Sequence, residues 1–356
     1  MDQKRLFAAI ALSIGILLIF DVWNRNNRPP APLPALPTEQ AAPGVPAPSA
    51  AVPTPGVTAP VQTEASATTP RAPAVRVPIQ NPRVAGSINL RGARIDDLVF
   101  TTYHETLAPN SPQVRLFDQR GGANPYFAQW GWTAADGRTR VPDNDTDWTA
   151  TGGPLAPNSP VTLTWDNGQG QVFEIALSLD DQYMISADQR VRNTGTEAVS
   201  VLPWARIRRE HTPATAGFYI LHEGYTGVLD GRLREMTYSD AKTEAGRRSG
   251  VALDQPTTGG WAGFTDKYWL AAVMPASPDQ TLRASYRYAS DGAGAAGDRW
   301  QVDMATPQPI SIAPGATGQM ATRVFAGAKE VHLLDGYMER LRITDFDKAI
   351  DFGWFY

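Results

Sequence analysis

The amino-acid sequence predicts a mainly β protein, in which one large β-sandwich follows a membrane anchor and a disordered linker. Three observations lead to this fold class. A run of apolar residues stands near the N-terminus, a stretch rich in proline and alanine follows it, and short alternating strands separated by turn residues fill most of the remainder. With 42% hydrophobic residues among 356, the chain is able to bury a substantial core.

The first element is an apolar run, Leu6 to Phe20, that follows the positive charges of Lys4 and Arg5. A helix rises about 1.5 Å per residue and a bilayer core is about 30 Å thick, so the run spans only if it extends through Trp23. A cleaved secretory signal is the alternative, but no small-residue cleavage site follows the run, and tryptophan suits a membrane interface. We therefore predict that residues 1 to 23 form an uncleaved transmembrane anchor. The charges on its two sides are nearly balanced and do not fix its orientation.

The second element, residues 24 to 82, is predicted to be a disordered linker. From Pro29 to Pro82 it consists largely of proline, alanine, threonine and valine, with very few charges. Such a composition favours extended polyproline conformations and cannot bury a core. The linker is therefore expected to hold a folded domain away from the membrane surface.

Charge and cysteine content exclude several classes of function. The net charge of -4 gives no electrostatic reason to expect nucleic acid as a partner. The sequence contains no cysteine, which excludes disulfides, thiolate catalysis and cysteine-ligated zinc.

The third element, residues 83 to 328, has the alternating pattern of antiparallel β-structure. Val161–Trp165 and Val172–Leu179 alternate on either side of the turn Asp166-Asn167-Gly168, which predicts a hairpin. Further strands are predicted at Tyr183–Val191, Val199–Arg208, Ile310–Ile312 and Met320–Phe325. The expected core residues are Trp165, Phe173, Ile175, Tyr183, Trp261, Phe264, Tyr268 and Trp269.

The last element, residues 329 to 356, departs from the β pattern. Apolar residues recur at helical spacing from Glu330 onward, so an amphipathic helix should pack against the sheet through a stripe of Leu333, Tyr337 and Leu341. The segment Phe346–Tyr356 begins as a helix and becomes aromatic. We expect Phe352, Trp354 and Phe355 to lie at a bilayer interface, where they are buried shallowly.

Two motifs suggest ligand binding but lie in the wrong context. Gly292–Gly297 has the spacing of a dinucleotide fingerprint, yet strand-like segments stand on both sides, so we interpret it as a hairpin loop. Asp143, Asp145 and Asp147 begin like a calcium loop, but Trp148 occupies the position of the required glycine. We therefore predict no cofactor and no metal site.

Three His/Glu neighbours stand out in a sequence with 4 histidines: His104 with Glu105, Glu210 with His211, and His222 with Glu223. Neighbours on a strand point to opposite faces, so an acid-base couple would need partners from different strands. No catalytic triad or zinc spacing emerges. We interpret His222 as a hydrogen-bonded structural residue and predict that the chain has no catalytic residue.

Several segments resemble the YidC family of bacterial membrane-protein insertases, and the match covers nearly the whole chain. The segments that carry the resemblance are Gly259–Trp269 (GGWAGFTDKYW), Thr164–Gly170 (TWDNGQG), Phe218–Gly224 (FYILHEG), Phe346–Tyr356 and the apolar N-terminus.

The resemblance implies a super-β-sandwich similar to galactose mutarotases. It implies that residues 1 to 23 are the family's first transmembrane helix, with a cytoplasmic N-terminus, and that residues 83 to 328 are its large first periplasmic domain. Residues 329 to 356 would lead to a conserved membrane core, which carries the hydrophilic groove of the family and lies outside this sequence. No groove residue is therefore assigned here.

The function that the resemblance implies is insertion and folding of inner-membrane proteins, alone or with the Sec translocon. The implied partners are the lipid bilayer, nascent membrane proteins, and the Sec translocon with its accessory proteins; the chain itself would be a scaffold or a partner-binding part. Two alternatives are a tethered periplasmic module that binds peptide or glycan, and a mutarotase-like enzyme that uses Glu210, His211, His222 or Glu223 for proton transfer.

Overall fold

The structure is a computed structural model that describes residues 72–215 and 221–351. The predicted anchor at residues 1 to 23, the linker up to residue 71, and the aromatic end from residue 352 lie outside the described residues. No helix within the described ranges combines the length and hydropathy needed to cross a bilayer.

Strands dominate the described part of the chain. In chain order they are β1 (Arg76–Gln80), β2 (Val84–Asn89), β3 (Arg94–His104), β4 (Gln113–Phe117), β5 (Tyr126–Ala134), β6 (Thr149–Ala156), β7 (Ser159–Asp166), β8 (Gln171–Leu179), β9 (Met184–Asn193), β10 (Val199–Arg209), β11 (Gly224–Leu229), β12 (Arg232–Leu233), β13 (Val251–Thr258), β14 (Trp261–Thr265), β15 (Trp269–Pro275), β16 (Thr281–Ser290), β17 (Asp298–Ala305), β18 (Ile310–Ile312) and β19 (Thr317–Ala328). The mainly β fold class predicted from the sequence is thus confirmed.

The strands form two antiparallel sheets. The first sheet has the order β1-β2-β3-β5-β10-β17-β16-β13, with β4 beside β3 and β18 beside β10. The second has the order β6-β7-β8-β9-β19-β15-β14-β11-β12. One short parallel pairing between β1 and β6, at Ile79 and Leu155, joins the edges of the two sheets.

Contacts between the two sheets show that they pack face to face as a sandwich. Trp130 Nε1 on β5 donates a hydrogen bond to Thr322 Oγ1 on β19, at 3.2 Å. The ring of Tyr225 on β11 stacks on that of Tyr286 on β16, with centroids 4.8 Å apart. Side chains from both sheets therefore share one buried core.

The strands expected from alternation are present. Burial alternates along β7, β8 and β9, whereas β10 is buried on both faces from Val201 to Arg209. The hairpin β7–β8 pairs Trp165 with Phe173 as the sequence pattern requires. Most expected core residues are buried or pack against the core, but Tyr268 is wrong, since 59% of its side chain is exposed. It stands in the turn between β14 and β15, where the chain leaves the sheet.

The sheet begins earlier than the start at Arg83 expected from the sequence. Strand β1, Arg76–Gln80, falls in the segment assigned to the linker, so the linker boundary at residue 82 is too late. Val77 and Ile79 are buried. Pro78 lies between them; β1 pairs along its length with β2 on one side, and on the other side only Ile79 has a partner. A proline is tolerated there because an edge strand has amide groups that need no ladder partner.

Two α-helices complete the described structure. Helix α1 (Tyr238–Arg247), which the sequence pattern did not predict, starts after Thr237, whose Oγ1 accepts a hydrogen bond from the Asp240 N–H at 3.1 Å. Helix α2 (Val331–Leu341) matches the predicted amphipathic helix. It ends where Arg342 adopts a left-handed conformation, and a short 3-10 turn follows at Phe346–Ala349.

The predicted stripe of α2 packs on the sandwich. Tyr337 is buried, and Leu333 and Leu341 are partly buried against the core. The packing prediction for this helix is thus confirmed.

Candidate functional site at the C-terminal junction

The junction between the sandwich and α2 is built around one carboxylate, that of Glu330, which directly precedes the helix. Its Oε1 accepts hydrogen bonds from Arg83 Nη1 at 2.6 Å, from Tyr103 OH at 3.0 Å and from Tyr183 OH at 3.3 Å. Arg83 and Tyr103 belong to the region of β2 and β3, whereas Tyr183 directly precedes β9 in the other sheet. The start of α2 is therefore fixed to both sheets at once.

The tyrosines stay protonated donors at neutral pH. Burial raises the pKa of Tyr183 to about 12, against an opposing effect of Arg83. Burial, with the hydrogen bond to Glu330, also raises the pKa of Tyr103. The carboxylate of Glu330 consequently keeps its hydroxyl donors across the physiological range.

A second attachment, at Tyr337, lies seven residues beyond Glu330, which is about two helical turns. Tyr337 OH donates to Asp180 Oδ2 at 2.6 Å and accepts from the main-chain N–H of Tyr183 at 3.2 Å. The Tyr337 ring also meets the rings of Phe325 and Phe346, with centroids 5.9 and 6.5 Å away. Burial raises the pKa of Tyr337, which keeps it a donor. Polar and aromatic contacts thus hold the helix in one orientation.

Beside this junction lies a cavity of about 490 Å³. Aromatic side chains, basic groups and two carboxylates meet in its wall. The lining residues are Tyr103, His104, Leu221, His222, Lys267, Tyr268, Trp269, Ala328, Lys329, Glu330, Ile350 and Asp351.

Lys329 is a partly buried cation of this wall. Its Nζ donates to Thr265 Oγ1 at 2.9 Å, so its hydrogen-bond partner is a hydroxyl rather than a carboxylate. Burial lowers the pKa of Lys329, although carboxylates that include Asp266 and Asp351 act in the opposite direction. The wall is thus of mixed charge, and it supplies both donors and acceptors.

His222 has a structural role at the edge of the cavity. Its Nε2 lies 2.7 Å from the carbonyl oxygen of Tyr225, so Nε2 carries a proton, because a carbonyl only accepts. Its main-chain N–H donates to Asp351 Oδ2 at 2.9 Å. These bonds agree with the structural interpretation of His222 and tie the start of β11 to the end of the described chain.

The residues of the enzyme alternative do not converge on one place. His222 lines the cavity, but Glu210 forms ion pairs with Arg120 at 2.6 Å and with Arg208 at 2.9 Å. Burial opposes ionisation of Glu210, yet these arginines outweigh it and lower the pKa of Glu210. Burial, together with Arg209, lowers the pKa of His211 to about 4. An ion-paired glutamate and a neutral, half-buried histidine do not make a general acid-base couple.

The two ligand-like motifs are turns. Gly292–Gly297 connects β16 to its antiparallel neighbour β17, as expected for a hairpin loop. Asp143 Oδ1 accepts from the Asp145 N–H at 3.0 Å, while Asp147 pairs with Arg91 at 2.9 Å. Across the ranges that the structure describes, no group of three or more metal-ligating side chains is found.

The sequence pattern missed the Glu330 junction. Its three donors come from segments separated from Glu330 by 247, 227 and 147 residues, so no local motif brings them together. The available signal was a charged pair, Lys329-Glu330, between a predicted strand and a predicted amphipathic helix.

Comparison with solved structures gives only partial likeness. A putative aldose 1-epimerase from Escherichia coli is 10% identical with a TM-score of 0.46, over 71% of this chain and 99% of its own. A galactose mutarotase-like protein from Lactobacillus casei is 11% identical with a TM-score of 0.45, over 71% of this chain and 100% of its own. Neither likeness is close enough to support a shared fold or activity.

Comparison with sequence families is decisive. The family model described as YidC periplasmic domain matches residues 76–356. A protein named membrane protein insertase YidC from Granulibacter bethesdensis is 43% identical over 356 residues, which are all of this chain and 60% of the relative. Its namesake from Acidiphilium cryptum is 46% identical over 287 residues, 79% of this chain and 48% of the relative.

The chain thus spans 60% or less of the length of these two relatives. Both are named as insertases rather than as enzymes, in agreement with the expectation that the chain is not an enzyme.

Proposed function

The chain belongs to the YidC family of membrane protein insertases, and from that premise we propose that it takes part in the insertion and folding of proteins of the bacterial inner membrane. The observation that carries the proposal is the match of the family's periplasmic domain over residues 76–356. That match covers the sandwich, α2 and the segment that follows.

We place the sandwich in the periplasm and residues 1 to 23 in the membrane as a single span with a cytoplasmic N-terminus. The apolar run and the proline-rich linker support this arrangement. Residues 329 to 356 lead back toward the membrane, and the aromatic residues after residue 351 suit the interface. In this arrangement the domain is tethered at its start and at its end.

The role of this chain is scaffolding and partner binding. We call the hydrogen bonds of Glu330, which precedes α2, and of Tyr337 on α2 the clamp. The clamp supports a scaffolding role, because it fixes the orientation of the sandwich relative to its own C-terminal helix. The partners proposed are nascent membrane proteins, the lipid bilayer, and the Sec translocon with its accessory proteins. In this proposal, other parts of the full-length protein perform the insertion step itself.

The test uses the gene that encodes this chain, expressed at full length in cells depleted of their own insertase. Membrane vesicles from these cells receive a small inner-membrane protein during translation, and protease protection measures its insertion. We expect full-length protein to restore insertion, deletion of residues 76 to 328 to retain most of it, and deletion of Val331–Leu341 to abolish it.

The accumulation of each variant in the membrane is measured in the same vesicles, so that loss of protein is separated from loss of function. Insertion that stays at the depleted level with well-accumulated full-length protein would overturn the proposal. If both deletions reduced insertion equally, the proposal that α2 is required for insertion and the sandwich largely dispensable would be overturned.

A further inference from the structure

One end of the sandwich exposes apolar side chains that the insertase proposal does not use. The described part of the chain has five large hydrophobic residues with exposed side chains, which are Val75, Leu107, Leu233, Tyr268 and Val331. Single exposed hydrophobic residues are common on protein surfaces, whereas several on one surface indicate a site of interaction with a protein or a membrane. Three of the five, Leu107, Tyr268 and Val331, lie around the cavity at the C-terminal junction.

The cavity wall places these three residues at the same end of the sandwich. Tyr268 lines the cavity together with His104, the last residue of β3, and with Glu330. Val331 directly follows Glu330 in the chain. Leu107 follows His104 by three residues, so at most about 10 Å of chain separates the two. We name the end that carries Leu107, Tyr268 and Val331 the exit end.

Leu107 stands at the tip of a hydrogen-bonded loop between β3 and β4. At the base of the loop, the Glu105 N–H donates to the Pro112 carbonyl oxygen at 3.0 Å. At its tip, the Ser111 N–H donates to the Ala108 carbonyl oxygen, also at 3.0 Å. The side chain of Leu107 is fully exposed in this conformation. Its exposure is therefore fixed by the folded loop.

The sequence of this loop, LAPNSP, occurs a second time at residues 155 to 160, where the leucine is buried. Leu155 ends up in the core because it belongs to strand β6, whereas Leu107 stands beyond the end of β3. The hexapeptide thus does not require an exposed leucine. No described part of the chain covers Leu107, so a surface outside the chain is needed to bury it.

The turn between β14 and β15 gives the exit end an amphipathic rim. The Nζ of Lys267 lies 4.9 Å from the centroid of the Tyr268 ring, and the Trp269 ring lies 6.1 Å from that of Tyr268. Tyrosine and tryptophan concentrate at the level of lipid head groups, and a lysine can place its stem on an apolar surface while its ammonium stays in a polar layer. This combination suits the boundary between lipid and water.

The position where the described chain ends indicates which surface lies opposite the exit end. Asp351 lines the cavity, and its Oδ2 accepts from the His222 N–H, so the chain leaves the sandwich at the exit end. The residues that we place at the bilayer interface follow at once, beginning with Phe352. Consecutive Cα atoms are only about 3.8 Å apart. A bilayer that accommodates Phe352 therefore reaches the exit end itself.

We propose that the exit end docks on the periplasmic surface of the bilayer, with Leu107 inserted among the acyl chains and Tyr268 at the level of the head groups. The inference rests on the placement of the domain proposed above and deepens it, because it names the surface of the sandwich that faces the lipid. The cavity wall is of mixed charge, so apolar contact rather than attraction to anionic lipid holds the domain there.

The test uses the chain in vesicles of phosphatidylcholine, with a fluorophore at one position at a time. The chain contains no cysteine, so Ala108→Cys allows a nitrobenzoxadiazole dye to label the loop while Leu107 stays intact. Lipids with a nitroxide on the upper acyl chain quench a dye that enters the bilayer, whereas iodide quenches a dye in water. We expect the nitroxide lipid to reduce emission at position 108 at least threefold.

The matched labelling control is Asp279→Cys, in the turn at the opposite end of β15 from Tyr268. A dye at position 279 should respond to iodide and not to the nitroxide lipid. The contrast between the two positions measures the orientation of the sandwich on the bilayer.

In chain labelled at position 108, Leu107→Ser should weaken quenching by the nitroxide lipid at least twofold, because the polar side chain no longer favours insertion. Adding Tyr268→Ser should lower the quenching further. Thermal unfolding of Leu107→Ser should be unchanged, since the leucine is fully exposed. The matched control is Leu233→Ser, an exposed leucine that pairs with Val228, at the end of β11 remote from the cavity, and it should leave quenching unchanged.

A dye at position 108 that the nitroxide lipid does not quench, or quenching that Leu107→Ser does not weaken, would overturn the proposal. Protection from iodide without quenching by lipid would show that a protein surface, such as a second copy of this chain, covers the loop, and would also overturn it.

Flotation with the vesicles is measured first, and a chain that does not float would overturn both the anchor and the docking. Restored insertion by the full-length protein together with an unquenched dye removes this inference alone. Lipid quenching that depends on Leu107, together with failed insertion, removes the insertase proposal alone.

Discussion

Arg83 Nη1 lies 2.6 Å from Glu330 Oε1, although 247 residues separate the two in sequence. The contact joins the residue that precedes β2 to the residue that precedes α2. Both side chains keep more than a quarter of their surface exposed, so the ion pair by itself stabilises the fold only modestly. Its effect on the position of α2 is larger, because Tyr103 and Tyr183 share the same carboxylate oxygen.

Glu330→Gln should therefore loosen the start of α2 more than it lowers global stability. We expect the free energy of unfolding to fall by about 1 to 2 kcal/mol, since one charged acceptor is replaced by a neutral one. Hydrogen exchange of the first-turn amides of α2 should rise clearly. A matched ion pair away from α2, broken by Arg91→Met, should leave this exchange unchanged. Unchanged exchange in Glu330→Gln would contradict the proposed clamp.

Tyr337→Phe tests the second attachment of α2. The change removes the hydroxyl that donates to Asp180 and accepts from the Tyr183 N–H, while the ring keeps its packing. We expect a loss of about 1 to 3 kcal/mol in chemical denaturation, the usual cost of leaving buried polar groups unpaired. Tyr268→Phe, at the exposed turn, should change stability by less than about 0.5 kcal/mol. Similar effects of both changes would refute a special role for Tyr337.

Gly131→Ala should displace the aromatic ring that supports Arg206. A Cβ at position 131 would lie 2.4 Å from Cζ2 of Trp204, so the indole could no longer lie flat on β5. Overpacking of this kind costs about 1 to 3 kcal/mol. Gly246→Ala in α1, where a Cβ meets nothing within 4 Å, should instead stabilise by about 0.5 to 1 kcal/mol. Thermal unfolding of the two variants should therefore shift in opposite directions.

His211 should make the fold less stable in mild acid. Burial and the charge of Arg209 lower the pKa of His211 to about 4 from the ordinary 6.5, while Asp118, Asp266 and the Pro125 carbonyl act in the opposite direction. Unfolding therefore takes up a proton between these two values, and stability that is present at pH 7 is lost as the pH falls toward 4.

The slope due to His211 is at most about 1.4 kcal/mol per pH unit, and solvent screening reduces it because the imidazole is only half-buried. His211→Gln should flatten the curve of unfolding free energy between pH 7 and pH 4. His332→Gln, at an exposed position of α2, should leave its shape unchanged. Parallel curves for His211→Gln and the unaltered chain would show that His211 does not titrate as stated.

The sandwich was predictable where burial follows a local period. In β7 and β8, every second side chain enters the core, so Val161 and Phe173 could be assigned to it from alternation alone. Helix α1 gave no such signal, because two of its three buried residues, Ala241 and Ala245, are small. The prediction that Tyr268 is a core residue was wrong, because the size of an aromatic side chain does not indicate where a strand ends.

The candidate site was not predictable for a related reason. Glu330 gathers donors from three distant segments, and Arg206, Arg287 and Asp303 meet only because β10, β17 and β16 are neighbours. From the sequence alone, charged residues on a strand indicate a solvent-exposed face, and only the pairing of the strands shows that such residues are buried together. A resemblance to a family implied the function proposed here, but it implied none of these contacts.

Strand β1 has a mechanical consequence for a domain tethered at its N-terminal side. It is an edge strand whose ladder with β2 ends at the turn before Val84. A force transmitted along the linker would break the hydrogen bonds between β1 and β2 one pair at a time. The Arg83–Glu330 ion pair, which lies beyond the turn, would bear the force next. Peeling β1 would lengthen the tether by about 17 Å at roughly 3.4 Å per residue. In the tethered arrangement proposed above, β1 would give the domain a short reserve of length under tension.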